Sequence, residues 1–174
     1  MKKLYVSWND VQRQVQELVR QMWLDQWTPD YVVGITRGGL VPANLLSQYL
    51  DCKMETLQVR LRDGVGSEDC ESNLWMPEDA LEGKKILIVD DINDSGATLN
   101  WIKQDWEHND TYIETFRSIW SNNVRIAVLY NNESSDCELD PTYVAENINK
   151  FENPQWVVFP WEEWWRRWTS EQQV

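Results

Sequence analysis

The residues with the clearest chemical purpose are two adjacent acids followed at short, fixed spacing by a loop of small residues. Asp90 and Asp91 stand side by side, and Asp94-Ser95-Gly96-Ala97-Thr98 begins three residues on. Neighbouring carboxylates accept hydrogen bonds from a vicinal diol. Successive backbone N–H groups in a loop of this kind, with a helix N-terminus behind them, make a nest for a phosphate. Two acids beside one phosphate cradle suit a phosphorylated sugar. A second anion site is carried by Thr36-Arg37-Gly38-Gly39. Paired glycines let backbone amides approach an anion closely, and an arginine clamps diphosphate oxygens bidentately. Arg60 and Arg62 add two cations, although their alternation with Val59 and Leu61 equally suits the outer face of a strand. The third segment is Trp156-Val157-Val158-Phe159-Pro160-Trp161-Glu162. An aromatic ring before a short strand can stack on a planar base while main-chain groups read its edge. In a chain with 12 tryptophans, Trp156 also suits a core position.

These residues need a scaffold, and its elements are legible in the hydrophobic pattern. Ile86-Leu87-Ile88-Val89 is a continuous apolar run, as in a strand buried on both faces of a parallel sheet, and it places the acid pair at its carboxyl end. A helix is expected from about Ala97 to Trp106. Ser7 with Asp10 three residues on predicts a helix start, and Val11, Val15, Leu18, Val19 and Met22 continue it at helical spacing. Residues 31–35 read as a buried strand, and 40–50 as a helix with Leu45, Leu46 and Tyr49 on its apolar side. Residues 55–61 alternate like a strand. Residues 62–83 read as a long irregular loop, a length usually tied to function. A helix is expected over 111–121, a strand over 124–130, a polar loop over 131–140 and a short strand over 156–159. A last helix is expected over 161–168, with Trp161, Trp164, Trp165 and Trp168 on one face. That face either packs on its own domain or forms a homodimer contact. Alternating strands and helices without a linker or repeat predict one α/β domain over residues 1–174. Its sheet is mainly parallel and twisted, flanked by helices.

Composition narrows the function classes. The 174 residues carry 16 basic and 29 acidic side chains, a net charge of −13. Such a surface disfavours a nucleic-acid backbone and an anionic membrane as partners. It also repels phosphorylated ligands at long range, so their binding must rest on a local nest, a few basic residues and a divalent cation. Three cysteines, Cys52, Cys70 and Cys137, are odd in number and widely spaced, which implies neither a zinc site nor a disulfide framework and points to the cytoplasm. The N-terminal residues lack the apolar core of a signal peptide. His108, the single histidine, lies past the expected end of the helix that follows the acid pair.

Residues 86–98 closely resemble the signature of the type I phosphoribosyltransferases, which bind 5-phosphoribosyl-1-diphosphate: four hydrophobics, two acids, a variable pair, then Asp-Ser/Thr-Gly-x-Thr. Together with Gly34-Ile35-Thr36-Arg37-Gly38-Gly39 and the LVPANLLSQYL that follows, the chain most resembles the bacterial and archaeal purine members, which use xanthine, hypoxanthine or guanine. The resemblance implies the family fold with a small hood built from the C- and N-terminal segments. It implies transfer of the 5-phosphoribosyl group to a purine base. Asp90 and Asp91 would hold the ribose hydroxyls and, mostly through ligand and water, Mg²⁺. Residues 94–98 would hold the 5′-phosphate. Thr36, Arg37, Gly38, Gly39, Arg60 and Arg62 would hold the diphosphate, with a cis peptide at Thr36–Arg37. Asp94 would take the catalytic place beside the base N7. Trp156 and Val157 would meet the base, and closure of residues 62–83 would exclude water. Members that use 6-oxopurines usually carry a lysine after the strand at 127–130. Asn132 occupies that place here, and no lysine is near it in the sequence. Two other readings remain open: a regulator that senses the diphosphate donor without catalysis, and a transferase for a non-purine base.

Overall fold

The computed structural model describes residues 1–61, 70–107 and 119–166. Its strands are β1 (Lys2–Tyr5), β2 (Tyr31–Thr36), β3 (Lys53–Gln58), β4 (Ile86–Asn93), β5 (Val124–Asn132), β6 (Tyr143–Ile148) and β7 (Gln155–Val158). Its helices are α1 (Trp8–Leu24), α2 (Leu40–Leu50), α3 (Trp75–Leu81) and α4 (Ala97–Glu107). Five strands form one sheet in the order β3-β2-β4-β5-β6, every pairing parallel. β1 and β7 pair in parallel as a separate two-stranded sheet that ties the N-terminal segment to the C-terminal one.

Side-chain alternation along the central strands sorts the core into two layers. Val33, Ile35, Ile86, Ile88, Ile126 and Val128 face one way and meet Met76 and Ala80 of α3 and Leu99, Ile102 and Trp106 of α4. Val32, Leu87, Val89, Ala127 and Leu129 face the other way and meet Val11, Val15, Leu18 and Met22 of α1 and Ala43 and Leu46 of α2. With both faces covered, residues 86–89 have no exposed surface, which is why that strand reads as an unbroken apolar run. At the start of α1 the expected cap is complete. The Ser7 Oγ accepts from the Asp10 N–H at 3.1 Å, and the Asp10 carboxylate accepts from the Ser7 N–H at 3.0 Å.

Four expectations change. The stretch expected to be irregular contains α3, whose Met76 and Ala80 are buried. Pro77 sits in its first turn, where a missing N–H costs little, and the Asn73 side-chain oxygen accepts from the Met76 N–H at 2.9 Å. On α2 the buried residues are Pro42, Ala43, Leu46 and Ser47, whereas Leu45 and Tyr49 are exposed. Small side chains are chosen on that face because the helix lies close against β2. The edge strand β6 has no counterpart among the expected elements, because its half-buried YVAENI lacks an apolar run or clean alternation. Residues 119–121 form a turn that bridges Trp120 to Val124, in place of the end of a helix. Residues 62–69, with Arg62, lie outside the described residues, as do His108, the rest of the helix expected to 121, and Trp168. The three cysteines are free thiols. No helix among the described residues is long and apolar enough to cross a membrane.

The closeness of α2 to β2 is set at Gly34, where an added Cβ would lie 2.9 Å from the Ala43 Cβ and 3.4 Å from the Leu40 Cα. Overpacking of this kind costs about 1–3 kcal/mol. Gly34→Ala is therefore expected to lower the melting temperature by about 2–12 °C in a thermal unfolding scan.

Candidate active site

The site grows from a mismatch in strand length. β4 pairs with β5 as far as Asn93, but its ladder with β2 ends at Gly34 and Val89. Asp90 and Asp91 follow at once, on the side where β2 has given way to the Thr36–Gly39 loop. β2 leads to β3 on one side of the sheet and lies beside β4 on the other, so the chain reverses its direction of travel between β2 and β4. Open α/β sheets bind ligands in the crevice at the carboxyl ends of the two strands flanking such a reversal.

Both sequence motifs converge there. The Thr36–Arg37 peptide bond is cis. Gly38 lies so close to Asp91 that an added Cβ would overlap its carboxylate, and one on Gly39 would strike the Val89 carbonyl oxygen. A cavity of about 820 Å³ is lined by Thr36, Arg37, Gly38, Arg60, Asp91 and Glu162 among others. A second cavity, about 230 Å³, is formed by residues 90–99. Asp91 lines both. Arg37 is exposed and forms no ion pair among the described residues.

The phosphate-type loop has the conformation that its small residues permit. Gly96 has φ +87°, and an added Cβ would lie 2.6 Å from the Cys137 backbone nitrogen. The Ser95 Oγ accepts from the Ala97 N–H at 3.3 Å. The segment after β5 closes over this loop. The Asp136 N–H donates to the Ser95 carbonyl at 3.2 Å, and the Asn100 side chain bonds both Asp136 and Glu138.

Burial pushes the Asp90 carboxyl well above the usual carboxylate range, and the negative charge of Asp91 adds to it. Burial likewise raises Asp91, to about 6, against the Asp90 hydrogen bond that lowers it, and the Glu162 charge pushes it further up. The Asp91 N–H donates to the Asp90 Oδ1 at 2.9 Å, which keeps the two side chains in fixed relation. Two crowded hard-oxygen donors suit a cation such as Mg²⁺, which keeps several waters and binds through one or two carboxylates plus ligand oxygens. Among the described residues no group of three or more such side chains forms a protein-only metal cage.

The residues expected to meet a base are arranged as follows. Asn132 is buried, and its side-chain oxygen accepts from the Ser134 N–H and Oγ and from the Lys150 N–H at 3.0 Å. Its Nδ2 donates to the Asp94 carbonyl at 2.8 Å. Asn132 therefore faces inward and ties two segments together, because β5 continues through this residue instead of ending before it. Lys150, in the turn after β6, is not among the residues expected from the sequence. Its Nζ pairs with the Asp94 carboxylate at 2.7 Å and lies 5.4 Å from the centre of the Trp156 ring. The only sequence signal was a basic residue just before the aromatic segment. Trp156 is 51% exposed, unlike a core tryptophan. Val157 is buried and pairs in register with Leu4, so only its main chain can meet a ligand. Further on, Trp161 stacks on Phe159 at 4.9 Å, whereas Trp164 and Trp165 stay exposed.

Two acids and a small-residue loop lie at the reversal point of the parallel sheet of an open α/β protein. The model of the phosphoribosyl transferase domain matches residues 5–166. The xanthine-guanine phosphoribosyltransferase of Cereibacter sphaeroides is 32% identical over 169 residues, 92% of this chain and 87% of that one. The hypoxanthine-guanine phosphoribosyltransferase of Schizosaccharomyces pombe is 25% identical over 189 residues, 92% of this chain and 89% of that one. Among solved structures, the purine phosphoribosyltransferase of Pyrococcus horikoshii Ot3 matches with a TM-score of 0.64 and 28% identity, covering 94% of this chain and 96% of that one. The chain belongs to the phosphoribosyl transferase domain family.

The acid pair has a consequence for stability. Above pH 4 the unfolded chain has released protons that the folded pair still holds, so stability falls as pH rises through about 6. Asp91→Asn removes one of the two crowded charges. In unfolding titrations it is expected to stabilise the protein by about 1–2 kcal/mol at pH 8 and to make little difference at pH 4.

Proposed function

We propose that this chain transfers the 5-phosphoribosyl group of 5-phosphoribosyl-1-diphosphate to a purine base with release of diphosphate, a salvage route to nucleotides. The observation that carries this reading is the position of Asp91, which lines both the cavity of the phosphate-type loop and the cavity beside Arg37 and Arg60. A ligand spanning the two would present a diol to the acids and an anionic group at each end. The xanthine-guanine and hypoxanthine-guanine activities named for the relatives support the same substrates.

In this reading Asp90 and Asp91 accept hydrogen bonds from the ribose 2′ and 3′ hydroxyls. The amides of Asp94, Ser95, Gly96, Ala97 and Thr98 hold the 5′-phosphate, and Thr36, Arg37, Gly38, Gly39 and Arg60 hold the diphosphate. The bond from C1′ to the diphosphate oxygen breaks with its electron pair on the leaving group, and C1′ bonds to a ring nitrogen of the base. Positive charge that develops on the ribose ring is balanced by the acid pair. Negative charge on the departing diphosphate is met by Arg37 and Arg60. Mg²⁺, held by Asp90 and Asp91 mostly through ligand and water, would supply further charge neutralisation at the diphosphate. Asp94 takes the proton released from the base. Trp156 stacks on the base, and the Val157 main chain borders it.

Incubation with labelled donor, Mg²⁺ and a panel of bases tests this directly. Hypoxanthine, guanine or xanthine is expected to yield labelled nucleotide, and Asp90→Asn/Asp91→Asn to bind donor far more weakly. Product from orotate or uracil alone would move the base assignment, and no product with any base would remove the transfer reading. Stacking on an aromatic ring is worth about 1–3 kcal/mol per base. Trp156→Ala is accordingly expected to raise the KM for base about ten- to a hundredfold while the donor KM stays within twofold.

A further inference from the structure

A nest for an anion works only when successive backbone N–H groups converge, and in a planar trans peptide each N–H points opposite to the carbonyl before it. The carbonyls of the phosphate-type loop must therefore turn outward and be held there. Three successive ones are held. The Gly96 carbonyl accepts from the Asn100 N–H at 2.9 Å, the ordinary first bond of α4. The two before it lie ahead of the helix and depend on the segment after β5. The Asp94 carbonyl accepts from the Asn132 Nδ2 at 2.8 Å, and the Ser95 carbonyl from the Asp136 N–H at 3.2 Å. Both peptides are trans. Their N–H groups, on Ser95 and Gly96, hence point away from residues 132–138, and among the described residues neither has a protein acceptor. The smaller cavity is lined by residues 90–99 and by none of 132–138, so it lies on the side to which these N–H groups point.

The segment that supplies these donors is itself braced. Asn132 is buried, and its side-chain oxygen accepts from the Lys150 N–H at 3.0 Å. The buried Asn93 donates from Nδ2 to the Ser135 Oγ at 3.0 Å. From α4, the Asn100 Nδ2 donates to the Asp136 carbonyl at 2.8 Å, and its Oδ1 accepts from the Glu138 N–H at 2.7 Å. Gly96 shows how closely the two pieces approach, since an added Cβ would lie 2.7 Å from the Cys137 Cα. We propose that residues 132–138 are a clamp that aims the phosphate loop. It holds the Asp94 and Ser95 carbonyls outward so that the Ser95 and Gly96 N–H groups face the 5′-phosphate, with Asn132 and Asn100 as positioning residues. The proposal rests on the phosphoribosyl-transfer reading for the identity of the anion, and adds to it the residues that preorganise the site. It gives Asn132 a part on the donor side, in place of the base contact implied by its position in the sequence. A nest aimed in advance needs no ordering when the anion arrives, so less of the binding free energy is lost.

Donor and inorganic diphosphate separate the clamp from general damage, because diphosphate lacks the 5′-phosphate. Wild type, Asn132→Ala and Asn100→Ala are titrated calorimetrically with 5-phosphoribosyl-1-diphosphate and with diphosphate, both with Mg²⁺. A hydrogen bond to a charged group corresponds to about ten- to a hundredfold in affinity, and a neutral one to about two- to tenfold. Asn132→Ala frees the Asp94–Ser95 peptide and is expected to weaken donor by about tenfold or more. Asn100→Ala loosens only the brace on Asp136 and is expected to weaken donor by about two- to tenfold. Diphosphate affinity is expected to stay unchanged in both. If Asn132→Ala does not fold, Asn100→Ala decides alone, since it leaves the buried Asn132 in place. Equal loss for the two ligands, as a merely structural role would produce, overturns the clamp and leaves the transfer reading standing. Unchanged donor affinity does the same. Wild type that binds donor no more tightly than diphosphate has no working phosphate nest, which also overturns the clamp. Failure of wild type to bind either ligand overturns both readings together.

Discussion

Two carboxylates held side by side at the end of a buried strand are the constraint on which the rest of this molecule depends. Burial raises the protonation of both Asp90 and Asp91, with the Asp91 charge adding to it at Asp90 and the Glu162 charge at Asp91, so the pair opposes folding at neutral pH. A self-complementary protein would neutralise it with a lysine or arginine from a neighbouring strand. Here the neighbour is Gly38, whose missing Cβ leaves room for the Asp91 carboxylate and adds no positive charge. The site is left short of positive charge, and a cation and a polyhydroxyl ligand are what would relieve it.

The scaffold answers that cost with rigidity. Residues 86–89 are wholly buried between two helical layers, and the β4–β5 ladder runs on through Asp90 to Asn93. The backbone that carries the acids cannot move without breaking a central strand. Beyond them a row of asparagines crosses the sheet. The Asn93 Nδ2 donates to the Asn131 Oδ1 at 2.8 Å, and the Asn131 Nδ2 to the Asn147 Oδ1 at 3.2 Å, linking β4, β5 and β6 at their carboxyl ends. Asn132, one residue on, ties the phosphate-type loop to the turn after β6. Asn93 and Asn132 are buried and hydrogen-bonded, so these amides specify one arrangement of loops, where apolar packing alone would tolerate several.

Charge complements the same design. A chain of net charge −13 repels polyanions at a distance, so selectivity for a phosphorylated ligand must be local. Arg37 and Arg60 are the cations that line the larger cavity. Lys150 is already engaged by Asp94.

The sequence by itself determined whatever depends on neighbours along the chain. The apolar run of β4, the acid pair, the small-residue loop, the Ser7–Asp10 cap and the span of α2 all follow from contacts within a few residues, and their patterns carry the signature of the family. Core strands were legible because burial on both faces leaves few polar residues in them. Elements with mixed faces were not: β6 sits at an edge and α3 is short, so neither shows a period. Only the tertiary structure decided which side chains meet around Asp94. Asp94 and Lys150 are 56 residues apart, joined by a strand the pattern does not reveal, and Asn132 turns inward because β5 extends through it. Such pairings are set by strand register and sheet order, which residue types along the chain do not encode locally. The acid pair could therefore be read from thirteen consecutive letters (residues 86–98), while the lysine that pairs with Asp94 could be found only in the folded chain.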